Sequence, residues 1–300
     1  MTPSPQDDPK TLVSTDWLAQ HLRDPDLRVL DASWFLPGSG RDAKAEYQAG
    51  HIPGARFFDI DEIADLRSEL AHMAPPPEKF ISRMRAMGVG DGHQVVVYDG
   101  SGLFSAARVW WTFRLMGKKD VAVLDGGFPK WQAEGRELTR DRTAVTASDY
   151  PVVERDDAGI RAYKDEVLDA IGRVPMIDVR SPAEYTGERT HMPDYPEEGA
   201  LRGGHIPTAA SVPWARAAAA DGRFKGRDEL AAIYHDEAGL TPEGEVIAYC
   251  RIGERSSHTW FVLTHLLGHT SVKNYDGSWT EYGNAVRTPI VTGTTPLATT

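Results

Sequence analysis

VVVYDGSGLFSAARVWWTFRLMG at 95–117 and VIAYCRIGERSSHTWFVLTHLLG at 246–268 are two versions of one segment. An offset of 151 sets Tyr98 on Tyr249, Gly102 on Gly253, Ser105 on Ser256 and Gly117 on Gly268. Each version reads as a β-branched strand, a glycine-bearing turn and an amphipathic helix. One pair breaks the match: Asp99 stands opposite Cys250, the only cysteine of the chain. A duplicated frame with a carboxylate in one copy and a thiol in the other predicts one working site and one scaffold.

The repeat extends outward. VLDASW (29–34) matches MIDVRS (176–181), aligning Asp31 with Asp178. GHIPGARFFD (50–59) matches GHIPTAASVP (204–213), aligning His51 with His205, and VLDGGFPKW (123–131) matches NYDGSWTEY (274–282), aligning Asp125 with Asp276. Four blocks in one order indicate two structural copies. VVVY, VAVL, MIDV and VIAY read as buried strands. STDWLAQHL, AARVWWTFRLM, KDEVLDAIG and SSHTWFVLTHLLG read as the helices between them. The predicted fold is α/β: two tandem domains, each a parallel sheet flanked by helices on both faces. The predicted boundaries are 11–142 and 159–290, with the aperiodic stretch 143–158 as linker. The copies differ in one loop, with 20 positions from Asp31 to His51 and 27 from Asp178 to His205. The extra residues fall in GERTHMPDYPEEGALR, beside a strand end where open α/β sheets bind ligands. This loop either walls a pocket or is a tolerated surface insertion.

Three hundred residues suffice for two domains, and 41% apolar with 26% charged residues is ordinary for a globular protein. A net charge of −11 argues against nucleic acid or an anionic membrane as partner, while leaving room for a local basic pocket. A single cysteine excludes an internal disulfide and a multi-thiolate zinc site. The first ten residues, MTPSPQDDPK, lack a signal peptide's basic and apolar regions. No stretch approaches the roughly 20 apolar residues that span a bilayer. Together these features predict a reducing, cytoplasmic setting in which a lone thiol stays available. No metal or organic cofactor is implied.

Cys250 directly follows the strand VIAY and precedes a helix expected to start near Ser256. Residues Cys250 to Arg255 would turn their N–H groups inward around an anion, with Gly253 supplying the turn and the helix dipole adding positive potential. Arg251 and Arg255 add fixed charge. A thiol in that field ionises below its ordinary value of about 8.5 and becomes a nucleophile. The plainer alternative is an inert buried cysteine. Glu254 either faces solvent or pairs with an arginine. A loop without a dedicated base suits a thiolate that takes a soft sulfur as a persulfide. Cysteine phosphatases place an arginine six residues after the cysteine; here that position is Ser256, and Arg255 comes one residue early.

These features resemble the two-domain rhodanese family over residues 11–290. The resemblance rests on the strand–Cys–loop–helix, on Asp178-Val179-Arg180, on both GHIP segments and on both Asp-Gly-x-aromatic segments. It implies a silent first domain and a catalytic second one carrying sulfane sulfur on Cys250. The first half, with LDASWFLP, GRDAKAEY and SAARVWWTFR, looks like mercaptopyruvate sulfurtransferases. In that subfamily a serine, a histidine and an aspartate assist at the domain interface. The acid and imidazole match Asp61 and His72, whereas the serine matches Ile252 and a substrate arginine matches Glu184. The second half, with CRIGERSSHTWFVLTHLLG, looks like bacterial thiosulfate sulfurtransferases, and an arginine directly after the cysteine fits a dianionic donor.

The expectation is therefore a sulfurtransferase moving sulfur from thiosulfate through Cys250 to cyanide or a thiol. The substrate-binding residues are expected to be Arg251, Ile252, Gly253, Glu254, Arg255 and Arg180, with Asp61 and His72 assisting from the interface. The alternatives are 3-mercaptopyruvate as donor and a non-enzymatic persulfide carrier. The partners implied are a small anionic sulfur donor and a thiophilic acceptor, including a thiol-containing acceptor protein. Arg180 reads as pocket-facing or salt-bridged. Asp178 and His205 read as structural because Asp31 and His51 are their twins. His258 and Trp279 read as packing residues, and VWWTF (109–113) as core or domain interface.

Overall fold

The structure is a computed structural model and describes residues 7–192 and 199–296. Among the described residues, ten strands form two five-stranded sheets. The first holds β1 (Leu12–Val13), β2 (Leu27–Asp31), β3 (Ala55–Phe57), β4 (Gln94–Tyr98) and β5 (Val121–Leu124), in the order β1-β5-β4-β2-β3. The second holds β6 (Arg161–Ala162), β7 (Met176–Asp178), β8 (Ala210–Ser211), β9 (Glu245–Tyr249) and β10 (Ser271–Tyr275), in the order β6-β10-β9-β7-β8. Every pairing is parallel. The central strands VVVY and VIAY are buried throughout, as a sheet covered on both faces requires. The four strands and four helices expected from the sequence lie at their expected places, and the fold is the tandem α/β arrangement.

In register, β2 pairs β4 so that Asp31 faces Tyr98, and β7 pairs β9 so that Asp178 faces Tyr249. The aspartates therefore stand at the carboxyl ends of their sheets, beside Asp99 and Cys250. The twin histidines do the same job twice. His51 stacks on Tyr47 and its Nδ1 bonds the Tyr47 carbonyl at 2.8 Å; His205 stacks on Tyr185 and bonds that carbonyl at 2.9 Å.

The two halves meet along the helices that follow the twin loops, Ala106–Leu115 and Glu254–Phe261. Trp110 of the first packs within 5.7 Å of Trp260 and 4.8 Å of Phe261 of the second, ring to ring. One apolar core runs through this contact and includes Trp111, Phe113 and Val262. Tyr150, in the linking stretch, is buried against Phe80 of the first half. Of the longer loop in the second half, residues 193–198 lie outside the described residues. Its Gly199 lines the cleft between the halves.

Candidate active site

Cys250 directly follows β9 and is fully buried. Its amide donates to the Ser278 hydroxyl at 3.1 Å, and its carbonyl accepts the Trp279 amide at 3.0 Å. Thr280 grips the next residue, donating from amide and hydroxyl to the Arg251 carbonyl at 3.0 and 2.8 Å. The loop is thus fixed from the segment that follows β10. The helix begins at Glu254, two residues before the expected start near Ser256. Gly253 causes the early start: it takes φ +81°, and a Cβ there would lie 2.9 Å from the Asp276 carbonyl oxygen.

The electrostatics favour the thiolate. Burial opposes ionisation, but the Arg255 charge, the Ser256 hydroxyl and the backbone amides of Ser256 and Ile252 outweigh it, so the Cys250 pKa falls below the ordinary thiol value. Ser256 Oγ lies 3.5 Å from Sγ.

Arg255, expected among the substrate-binding residues, is committed to a carboxylate. Its Nη1 and Nη2 each bond a carboxylate oxygen of Glu184 at 3.0 Å, both side chains being buried. Burial would raise the Glu184 pKa, but Arg255 overrides it and brings the carboxyl down to about 2. Arg255 therefore acts on Cys250 through its field. Arg180 is committed as well: it forks onto Asp178 through Nε at 3.0 Å and Nη2 at 2.6 Å, bonds the Gly204 carbonyl and lies 4.2 Å over the Trp279 ring. A bidentate pair this deep braces the end of the strand. Trp279 is buried and bonds the Arg202 carbonyl, a packing role.

Glu254 neither faces solvent nor pairs with an arginine. It is buried, and its Oε1 lies 2.5 Å from Nδ1 of His72, a residue 182 positions earlier. His72 Nε2 in turn lies 3.1 Å from Asp61 Oδ1. The first half thus lays His72 over the cysteine loop of the second. A cleft of about 870 Å³ opens between the halves there, lined by Asp61, Leu70, His72, Lys164, Thr280 and Glu281 among others. Arg251 and Ile252 are buried in the loop.

Two residues of this site carried no functional reading in the sequence. Asp276 pairs with Arg108 at 2.7 Å and Arg161 at 2.9 Å and accepts the Ala74 amide at 3.0 Å. Arg108 also donates to the His72 carbonyl at 2.5 Å. The aligned Asp-Gly blocks marked Asp276, whereas nothing singled out Arg108. His258, on the loop helix, is wholly buried between Phe224 and Trp214, and burial lowers its pKa to about 3.

The twin loop explains the geometry. In the first copy Asp99 Oδ1 accepts the amides of Ser101 and Gly102 at 2.8 and 2.7 Å, and Oδ2 accepts those of Ser105 and Ala106 at 2.9 and 2.8 Å. The loop is an anion seat occupied by its own side chain.

The rhodanese-like domain model matches residues 14–134 and again 163–285. The chain belongs to the rhodanese family. This rhodanese is 50% identical over 288 residues to "Putative thiosulfate sulfurtransferase SseA" of Mycobacterium tuberculosis, covering 96% of this chain and 93% of the relative. It is 46% identical over 290 residues to "Sulfur carrier protein TtuD" of Thermus thermophilus, covering 95% and 98%. Among solved structures it resembles SseA of Escherichia coli, described as a 3-mercaptopyruvate sulfurtransferase, with TM-score 0.78 and 34% identity over 89% of this chain and 98% of that one. These relationships make sulfur transfer the class of activity of this rhodanese. No helix among the described residues is long and apolar enough to cross a membrane, and no group of three or more His, Cys, Asp or Glu among them is placed to hold a metal ion.

Proposed function

We propose that this rhodanese carries sulfane sulfur on Cys250 and takes it from thiosulfate. The observation that carries the reading is the anion seat of the first copy. Four amides hold a carboxylate at Asp99, and the second copy repeats that loop around a thiol whose ionisation Arg255 favours. By this precedent the amides of Ile252 and Ser256 hold the thiolate, and those of Gly253 and Ser257 are the seats for donor oxygens. The Cys250 thiolate attacks the outer sulfur of thiosulfate, the donor S–S bond breaks, and sulfite leaves with the electron pair. A nucleophile such as cyanide then takes the outer sulfur and returns the thiolate.

Thiosulfate suits the loop because sulfite departs without needing a proton. Ile252, buried and apolar two places after the cysteine, offers no hydroxyl to protonate a leaving group. A second donor, 3-mercaptopyruvate, is favoured by one observation, the Asp61–His72 pair lying against the loop. The carrier reading draws on the likeness to TtuD.

Sulfur transfer to cyanide, with the two donors compared by kcat/KM, tests the reading. A thiosulfate preference of about tenfold or more, equal to about 1.4 kcal/mol, is expected. Preference for mercaptopyruvate overturns the donor assignment, and a single loading of Cys250 without turnover to cyanide favours the carrier.

A further inference from the structure

A carboxylate, an imidazole and a second carboxylate stand in line between the cleft and the cysteine loop. Asp61 faces the cleft with its side chain 64% exposed, 3.1 Å from His72 Nε2. The His72 ring is buried, and its Nδ1 is 2.5 Å from Glu254 Oε1. Glu254 is the first residue of the loop helix, and its Oε2 is buried with no hydrogen-bond partner. The imidazole is locked in place. Its backbone takes φ +58°, Arg108 holds its carbonyl, and Trp34 packs edge-on at 4.8 Å.

Two carboxylates on one imidazole constrain where protons sit. A neutral ring has one donor nitrogen and one acceptor, so the carboxyl facing the acceptor must itself be protonated; otherwise the ring is an imidazolium. These arrangements differ only by moving a proton along two short contacts. A tie between domains requires one carboxylate. The second one, with an oxygen left unpartnered inside the protein, is the kind of buried exception that marks chemistry.

We propose that Asp61, His72 and Glu254 form a proton conduit from the cleft to the loop, and that Glu254 is the acid–base group of the second half-reaction when the acceptor is a thiol. This rests on the reading of Cys250 as a persulfide carrier. The first half-reaction needs no proton, because sulfite leaves as an anion. A thiol acceptor differs, since the thiolate is the nucleophile and the thiol must first lose its proton. Glu254 takes that proton, and the new thiolate attacks the outer sulfur of the persulfide. The bond from that sulfur to Cys250 Sγ breaks with its electrons on Sγ, and the acceptor leaves as its own persulfide anion. The proton passes through His72 to Asp61 and the cleft. No oxidant or reductant is consumed. His72 and Asp61 are positioning residues in this scheme, acting through Glu254. Among the described residues, the charged groups facing the array are Asp59 beside Asp61, the Arg108–Asp276 pair behind His72, and Asp65, Glu69, Lys164 and Glu281 around the cleft.

The test bypasses the donor by loading the enzyme with sulfur from inorganic polysulfide. Discharge of the persulfide is then followed with dithiothreitol and, separately, with sulfite, which brings no thiol proton, from acid to alkaline pH. Glu254→Gln is expected to slow dithiothreitol discharge by about 10²–10³-fold at neutral pH, with the rate recovering about tenfold per pH unit as ionised thiol takes over. Sulfite discharge should slow far less. Asp61→Asn, at the exposed end and safe for folding, should reproduce the same selectivity at about tenfold. Equal losses with both acceptors, or unchanged pH profiles in both variants, overturn the conduit and leave the array a domain tie. An enzyme that shows this selectivity after polysulfide loading but gains no sulfur from thiosulfate overturns the donor reading and keeps the conduit.

Discussion

Asp99 and Cys250 occupy twin positions in twin loops, and the difference between them separates holding an anion from using one. The first loop turns all four inward amides onto its own carboxylate, which is wholly buried. The second puts a thiol there and adds the buried Arg255, whose twin is Phe104, so only the second loop carries an arginine of its own at that position. The same contrast recurs behind the loops. Asp276 is held by two arginines, which overcome its burial and keep its pKa below the ordinary carboxylate value. Its twin Asp125 accepts the Phe224 amide, and burial raises its pKa to about 6 against the charges of Arg223 and Lys130. A fold can keep a second copy of the loop while relaxing its electrostatics, because backbone amides alone preserve the loop.

The sharpest way to break the comparison is to exchange the two residues. Cys250→Ser should lower sulfur transfer by about 10³-fold or more, since the nucleophile is lost. Adding Asp99→Cys to that variant should restore no transfer. In alkylation against pH, the new thiol should ionise above the midpoint of Cys250 in the wild type, because Phe104 stands where the second loop has Arg255. Restored turnover would show that the seat alone suffices.

Removing the charge that distinguishes the second seat is the next test. Arg255→Met leaves Glu184 buried and unpaired, a cost of about 3–5 kcal/mol in denaturant unfolding. The alkylation midpoint of Cys250 should also rise. In the wild type the Glu184 pKa is depressed, so its stabilisation is present above the unfolded value of about 4.3 and lost as pH falls toward about 2. The variant should lack that acid limb.

Asp125 reverses the sign. Its raised pKa means the folded state prefers the protonated form, so stability declines as pH rises from about 4 through about 6. Asp125→Asn keeps an acceptor for the Phe224 amide and removes the buried charge. It should gain about 2–3 kcal/mol at neutral pH and flatten that decline. The smallest effect is expected at His258, whose ring nitrogens are buried and unpartnered. His258→Phe should add about 1 kcal/mol, more in acid, since the native ring must stay neutral below the ordinary histidine pKa of about 6.5.

Periodicity and internal repetition make the sheets, the helices around them and the Cys250 loop legible in the sequence, because both signals lie in contiguous residues. The partners of the charged residues are not legible there. Arg180 and Arg255 look alike as cations near a strand end and a loop, and only the packing shows each clamped by a carboxylate, Asp178 and Glu184. Glu184 stands out in the sequence as a departure from a substrate arginine, and its pairing with Arg255 is the reason a carboxylate fits there. Glu254 meets His72 across 182 positions, a contact that no spacing rule reaches. The helix starts at Glu254 rather than near Ser256 because the left-handed turn at Gly253 is set by the close approach of Asp276, a tertiary constraint.

The twin aspartates lend one last property to the whole molecule. Asp125 of the first half holds the Phe224 amide of the second, and Asp276 of the second holds the Ala74 amide of the first. Each half thereby finishes the other through contacts that do not depend on the covalent link. A protease nick in the exposed stretch 144–147 should leave a particle that migrates as one and comes apart only in denaturant. Expressed as two polypeptides, the halves should find each other and regain turnover, making this chain a natural template for a split reporter whose signal is sulfur transfer.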